Sequence, residues 1–170
     1  MIVLGLDVPG KRSGGWAVYD SERDEVVDTD QIIFLEKDSE KRTYELLAER
    51  LSRLRRKHEF TVISLEHPFL YLIAQHIGAV KMWVALNPGV VWHMITASSA
   101  RKAVFGDARK ITRVTRTGSV VSAVKEFVLE EMKERYSRGE KLTQHEADAV
   151  LYAVAAARRL GTPAITRRKE

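Results

Sequence analysis

The chain opens on an unbroken apolar run, Ile2-Val3-Leu4-Gly5-Leu6, that stops at an acid, Asp7. A run without alternation reads as a strand covered on both faces. Pro9 to Gly15 is a Gly-containing turn, and Trp16-Ala17-Val18-Tyr19 comes back as the second strand of an antiparallel hairpin. Val26 to Leu35 alternates loosely and ends in Ile32-Ile33-Phe34-Leu35, a third strand. From Ser39 the spacing becomes helical, with Tyr44, Leu47, Leu51 and Leu54 on one face and Glu and Arg on the other. Val62 to Leu65 is a short apolar strand. Reached through a crossover helix, it should lie parallel to its neighbour and in the middle of the sheet.

Phe69 to Leu86 is apolar almost all round. A helix of that kind is buried on more than one side, and one of those sides can be a second subunit. Asn87-Pro88-Gly89 stops it, and Val90 to Ile95 is a fifth strand. Ser98 or Ser99 can cap a short helix ending near Phe105-Gly106, and residues 107–117 read as a basic turn. Ser119 then opens a helix with Val120, Val124, Phe127, Val128 and Met132 inward. Gln144 to Leu160 is the last helix, and residues 161–170 read as a flexible tail. The order βββαβαβααα predicts an α/β fold, a five-stranded mixed sheet flanked by helices.

Composition narrows the partners. Twenty-eight Lys and Arg against 23 Asp and Glu give a net charge of +5 in 170 residues, which favours an anionic partner, nucleic acid first. Cysteine is absent, which excludes a disulfide framework and a thiolate zinc site. Asp7 interrupts the first apolar run before a signal peptide could form. Residues 68–86 come nearest to a membrane span but hold Gln75, His76 and Lys81. The expectation is a cytoplasmic protein with no membrane partner.

Three strings carry the candidate chemistry: M-I-V-L-G-L-D7, T-V-I-S-L-E66 and Q-H145-E-A-D148-A-V-L. Asp7 and Glu66 end apolar strands, where α/β folds place their ligands. His145 and Asp148 are three apart and share a helix face that continues as Ala149, Tyr152 and Ala156. Gathered carboxylates repel one another unless a cation sits between them, and hard oxygen donors suit Mg²⁺ or Mn²⁺. Taken singly, each residue also has a structural reading. Asp7 can be a turn former, Glu66 can start a helix, and His145, Glu146 and Asp148 can face a helix dipole. Together they point to a metal-dependent phosphoryl-transfer site.

These strings resemble the three motifs of the RuvC family of Holliday-junction resolvases, within the RNase H-like superfamily. G-L-D7 with its Gly-containing turn is similar to the first. L-E66-H-P-F69 is similar to the second, and H145-E-A-D148-A-V-L-Y-A-V-A to the third. The resemblance runs from about Met1 to Leu160. It implies one RNase H-like nuclease domain over residues 1–160 and a crossover junction endonuclease of bacterial or viral origin. It also implies two Mg²⁺ ions per active site, with Mn²⁺ able to substitute. Asp7 would bridge them, Glu66 would hold one, and Asp148 with His145 the other. A homodimer built through the 69–86 helix would present two sites to a two-fold junction, and a branch-migration helicase is a conceivable partner. Phe69 would wedge against bases at the branch point, or else is simply the first core residue of its helix.

Between 101 and 116 stand Arg101, Lys102, Arg109, Lys110, Arg113 and Arg116, with Asp107 the lone acid. Such a run is either a solvated loop or a row of phosphate contacts. Beside a nuclease site it reads as DNA-binding, with Lys102 and Lys110 nearest the scissile phosphate. Three other readings compete. An enzyme cutting RNA–DNA hybrids would draw its Glu from the first helix, Glu45 or Glu49. A non-catalytic nucleic-acid-binding module of the same fold would not need the carboxylates. An actin-like kinase would need a second lobe that this length does not supply.

Overall fold

The computed structural model describes residues 1–10, 12–67, 71–106, 112–114, 120–136 and 141–161. β1 (Ile2–Asp7), β2 (Ser13–Asp20) and β3 (Glu25–Ile33) form an antiparallel meander. α1 (Glu40–His58) then crosses over to β4 (Val62–Glu66), and α2 (Tyr71–Ala85) leads to β5 (Val91–Ile95). β4 runs parallel to both β1 and β5, and the strand order is β3-β2-β1-β4-β5. The mixed five-stranded sheet is the one the pattern predicts. α3 (Ala97–Phe105), a hairpin of β6 (Thr112–Val114) and β7 (Val120–Ser122), α4 (Val124–Tyr136) and α5 (Gln144–Gly161) complete the chain.

Local chemistry sets the boundaries. Ser39 caps α1 by accepting a hydrogen bond from the Arg42 amide at 3.2 Å, and Glu59 ends it in the left-handed region at φ 52°. β3 stops at Ile33, two residues before the apolar run does, because the chain turns after Leu35, whose carbonyl accepts from the Asp38 amide at 3.0 Å and whose amide donates to Asp38 Oδ2 at 2.7 Å. α3 is capped by Thr96, not by Ser98 or Ser99. The Thr96 hydroxyl accepts from the Ser99 amide. The helix expected from Ser119 begins only at Val124. Val120-Val121 is β-branched and pairs instead with Thr112–Val114, so where a basic turn and then a helix were expected there is a hairpin followed by a helix.

The two sheet faces are covered differently. α1 and α2 bring large side chains, among them Leu47, Leu51, Leu54, Ile77, Val80 and Trp83, onto Leu4, Leu6, Ile63 and Leu65. α5 brings small ones. Ala149 and Ala153 lie so close to β1 that a Cβ on Gly5 would collide with the Ala149 carbonyl and stand 2.8 Å from the Ala153 amide nitrogen. α3 and α4 complete this second layer. α2 buries Ile77, Val80, Trp83 and Val84 but leaves Met82 64% exposed, and Leu86, just past its end, is 74% exposed. His76, one of the polar residues within the apolar 68–86 run, is buried, stacked on Phe34 and edge-on to Tyr44. No helix among the described residues is long and apolar enough to cross a membrane.

Candidate active site

Parallel pairing brings the carboxyl ends of β1 and β4 to the same edge of the sheet. Leu6 lies in register with Leu65, so Asp7 and Glu66 follow side by side. α5 starts over the same edge. Its packing against Gly5 and Gly15 fixes the height at which His145 and Asp148 enter. Asp7, Glu66, His145 and Asp148 thus line one cavity of about 220 Å³. His145 Nδ1 is 2.6 Å from Asp7 Oδ2, and its Nε2 is 3.1 Å from Ser13 Oγ. Gln144 Nε2 donates to Asp148 Oδ1 at 3.2 Å.

The electrostatics are those of crowded acids. Asp148 is pushed up to about 6, first by burial and then by the charge of Asp7, with a smaller push from Glu66. Its hydrogen bond from Gln144 and the charge of Lys125 pull the other way. Glu66 is also raised by burial and by Asp7, against the Tyr152 hydroxyl and the charges of Lys125 and Arg101. His145 is raised chiefly by its hydrogen bond to Asp7. Tyr152 is raised by burial and by the surrounding carboxylates, so it stays a neutral phenol.

This donor set fits a hard divalent cation in kind: three half-buried carboxylates and an imidazole on one cavity, two of the carboxylates raised by burial and then by their acidic neighbours. As the side chains lie, no three His, Asp or Glu among the described residues form a closed ligand set for one ion. Asp7 and His145 are instead turned to each other. A cation would have to compete with that hydrogen bond.

Of the basic residues singled out from sequence, Arg101 lines the cavity, and its Nε is buried without a hydrogen-bond partner among the described residues. Lys102 is exposed and does not line it. Arg113 lies in β6, its side chain outside the description, and Phe69, Arg109, Lys110 and Arg116 lie outside the described residues, as does the tail from 162. Glu146 is not turned to the cavity. It caps α5, accepting from the Thr143 amide at 2.8 Å and the Thr143 hydroxyl at 2.6 Å. Glu45 and Glu49 sit on α1, ion-paired with Arg42, under the opposite face of the sheet.

Four polar residues of the cavity are not among those singled out from sequence: Ser13, Lys125, Gln144 and Tyr152. Nothing in the sequence sets Lys125 apart from the other charges of α4. Its position in the second residue of α4, one turn from the β6–β7 hairpin, was invisible while α4 was expected to start earlier. By pattern Tyr152 belongs to the packed face of its helix, and Ser13 to the turn before β2.

No family model matches the sequence, and no curated protein is detectably similar to it. Solved structures are. Thermus thermophilus RuvC superposes with a TM-score of 0.73 at 19% identity, over 95% of this chain and 98% of that one. The same protein in complex with a Holliday junction substrate gives 0.72 at 19% identity, over 95% and 98%. The fowlpox virus Holliday junction resolvase gives 0.59 at 14% identity, over 94% and 99%. Across nearly its whole length, the chain has the fold of these resolvases.

Proposed function

We propose that this protein is a structure-selective endonuclease that resolves four-way DNA junctions by metal-dependent hydrolysis of phosphodiester bonds. One observation carries the reading: carboxylates from β1, β4 and α5 converge on a single cavity that also holds Arg101 and Lys125. Acids clustered to hold cations, beside cations placed to hold an anion, suit a phosphodiester. The shared fold with resolvases, one of them bound to a junction, supports the substrate class.

In this reading Asp7, Glu66 and Asp148, with His145, hold two Mg²⁺ ions, which Mn²⁺ can replace. The bound cations supply the activation of a water and the neutralisation of the leaving oxygen. Arg101 and Lys125 steady the scissile phosphate. The basic segment 101–116 tracks the DNA backbone, and Phe69 stacks at the branch point. Two copies pair through the exposed side of α2, where Met82 and Leu86 line an apolar groove of about 560 Å³ with Tyr44 and Ala48 of α1. An enzyme taking its Glu from α1 is disfavoured, because Glu45 and Glu49 face away from the cavity.

The deciding assay is cleavage of a synthetic four-way junction with Mg²⁺, beside linear duplex and an RNA–DNA hybrid. Wild type should cut only the junction, and Asp7→Asn should bind it without cutting. Wild-type protein that binds the junction but cuts no more than Asp7→Asn would leave a binding module and no nuclease.

A further inference from the structure

Each acid of the candidate site has a side-chain hydrogen-bond partner. Asp7 has His145 at 2.6 Å, and Asp148 has Gln144 at 3.2 Å. Glu66 has the hydroxyl of Tyr152. Tyr152 stands four residues after Asp148, one turn further along the inward face of α5; it lines the same cavity and is 2% exposed. Ala149 and Ala153, on either side of it, are the residues whose backbone lies against Gly5 of β1. The ring therefore stands on a stretch of helix fixed by backbone contact. Glu66, by contrast, is the last residue of β4 and carries a flexible side chain. Filling the space needs no oxygen, whereas a buried phenol oxygen needs a partner. A phenol offers its hydrogen across the working pH range, and a carboxyl group keeps an accepting oxygen whether ionised or not. The contact thus holds in either state of Glu66.

We propose that Tyr152 is a positioning residue that holds the Glu66 carboxyl group on the cavity side of β4, so that a divalent cation meets this ligand already placed. Hydrogen-bond partners of ligating carboxylates orient them for the metal, and their loss costs about 10–100-fold in metal affinity or activity. The proposal rests on the reading that the cavity takes a divalent cation. It gives a reason for the one hydroxyl that α5 carries into its packed face beside Asp148.

The test is Mn²⁺ binding to the full-length protein without DNA, read by electron paramagnetic resonance of the free ion, beside crystal structures of the metal-free proteins. Tyr152→Phe keeps the ring and removes only the oxygen, so it should fold as wild type does. It should bind Mn²⁺ about tenfold or more weakly, and Glu66 should take more than one orientation where wild type shows one. An unchanged Mn²⁺ affinity overturns the proposal, as does a loss of affinity with Glu66 oriented as in wild type. Wild type that binds no Mn²⁺ overturns the metal reading and this proposal with it. Wild type that binds Mn²⁺, with the expected loss in Tyr152→Phe, yet cuts no junction leaves this proposal standing and sinks the nuclease reading alone.

Discussion

The two faces of the sheet solve different problems. On the α1–α2 side, Leu, Ile, Phe and Trp side chains hold helix and sheet apart and fill the space between with apolar volume. On the α5 side, alanines and glycines let the helix backbone touch the strands. The first arrangement maximises burial. The second gives up side-chain volume for position, setting His145 and Asp148 directly over the strand ends that carry Asp7 and Glu66. Stability and chemistry are thereby assigned to opposite layers of one small domain.

The sharpest break falls on the α5 side. Asp7→Asn should lower junction cleavage by roughly a thousandfold or more while sparing binding, as gel-shift and cleavage assays on the same junction would show. Next, Gly5→Ala should cost about 3 kcal/mol, the upper end for overpacking, because the new methyl meets α5 backbone rather than a side chain that can turn. It should also lower cleavage per folded molecule. Leu51→Ala, on the other face, should cost a similar ~3 kcal/mol by opening a cavity, yet leave cleavage per folded molecule intact. Urea unfolding with parallel activity measurements separates the two, and equal loss of activity in both would erase the distinction between the faces.

The acids themselves should make metal-free protein less stable as pH rises. Asp148 sits at about 6 in the fold against an ordinary 3.8, so its protonated form is the one the fold favours. That stability is fully present below about 3.8 and lost as pH climbs through 6, amounting to at most about 3 kcal/mol. Glu66 and His145, both raised, act in the same direction. Asp148→Asn should flatten the dependence and raise stability at neutral pH while abolishing cleavage; chemical denaturation from pH 4 to 8 reads it directly. The smallest effect belongs to the outer side of α2. Met82→Ser should change stability by only about 0.5 kcal/mol, yet weaken self-association measured by sedimentation.

Much of this was legible along the chain. Asp7 and Glu66 stand out because each ends a largely apolar strand, and because they occur with His145 and Asp148, which removes the separate structural readings each has alone. His145 and Asp148 do so because they begin an otherwise small and apolar stripe. The mixed sheet follows from one crossover after a hairpin. The β6–β7 hairpin was missed because its strands are three residues long, too short for periodicity to register beside a dense run of charges. With Val120–Ser122 in that hairpin, α4 starts at Val124, which puts Lys125 at its first turn beside the cavity.

By itself the sequence determined which residues could carry the chemistry and on which elements they stand, since alternation, helical spacing and the ends of apolar runs are local properties. Only the tertiary structure decided how they meet. It turned His145 to Asp7 and Ser13, drew Arg101 and Lys125 to the cavity, left Lys102 outside and gave Glu146 to a helix cap. Those outcomes depend on how closely α5 approaches β1 and β2, a distance set by glycines and alanines far apart in the chain, and no local pattern encodes a distance between segments.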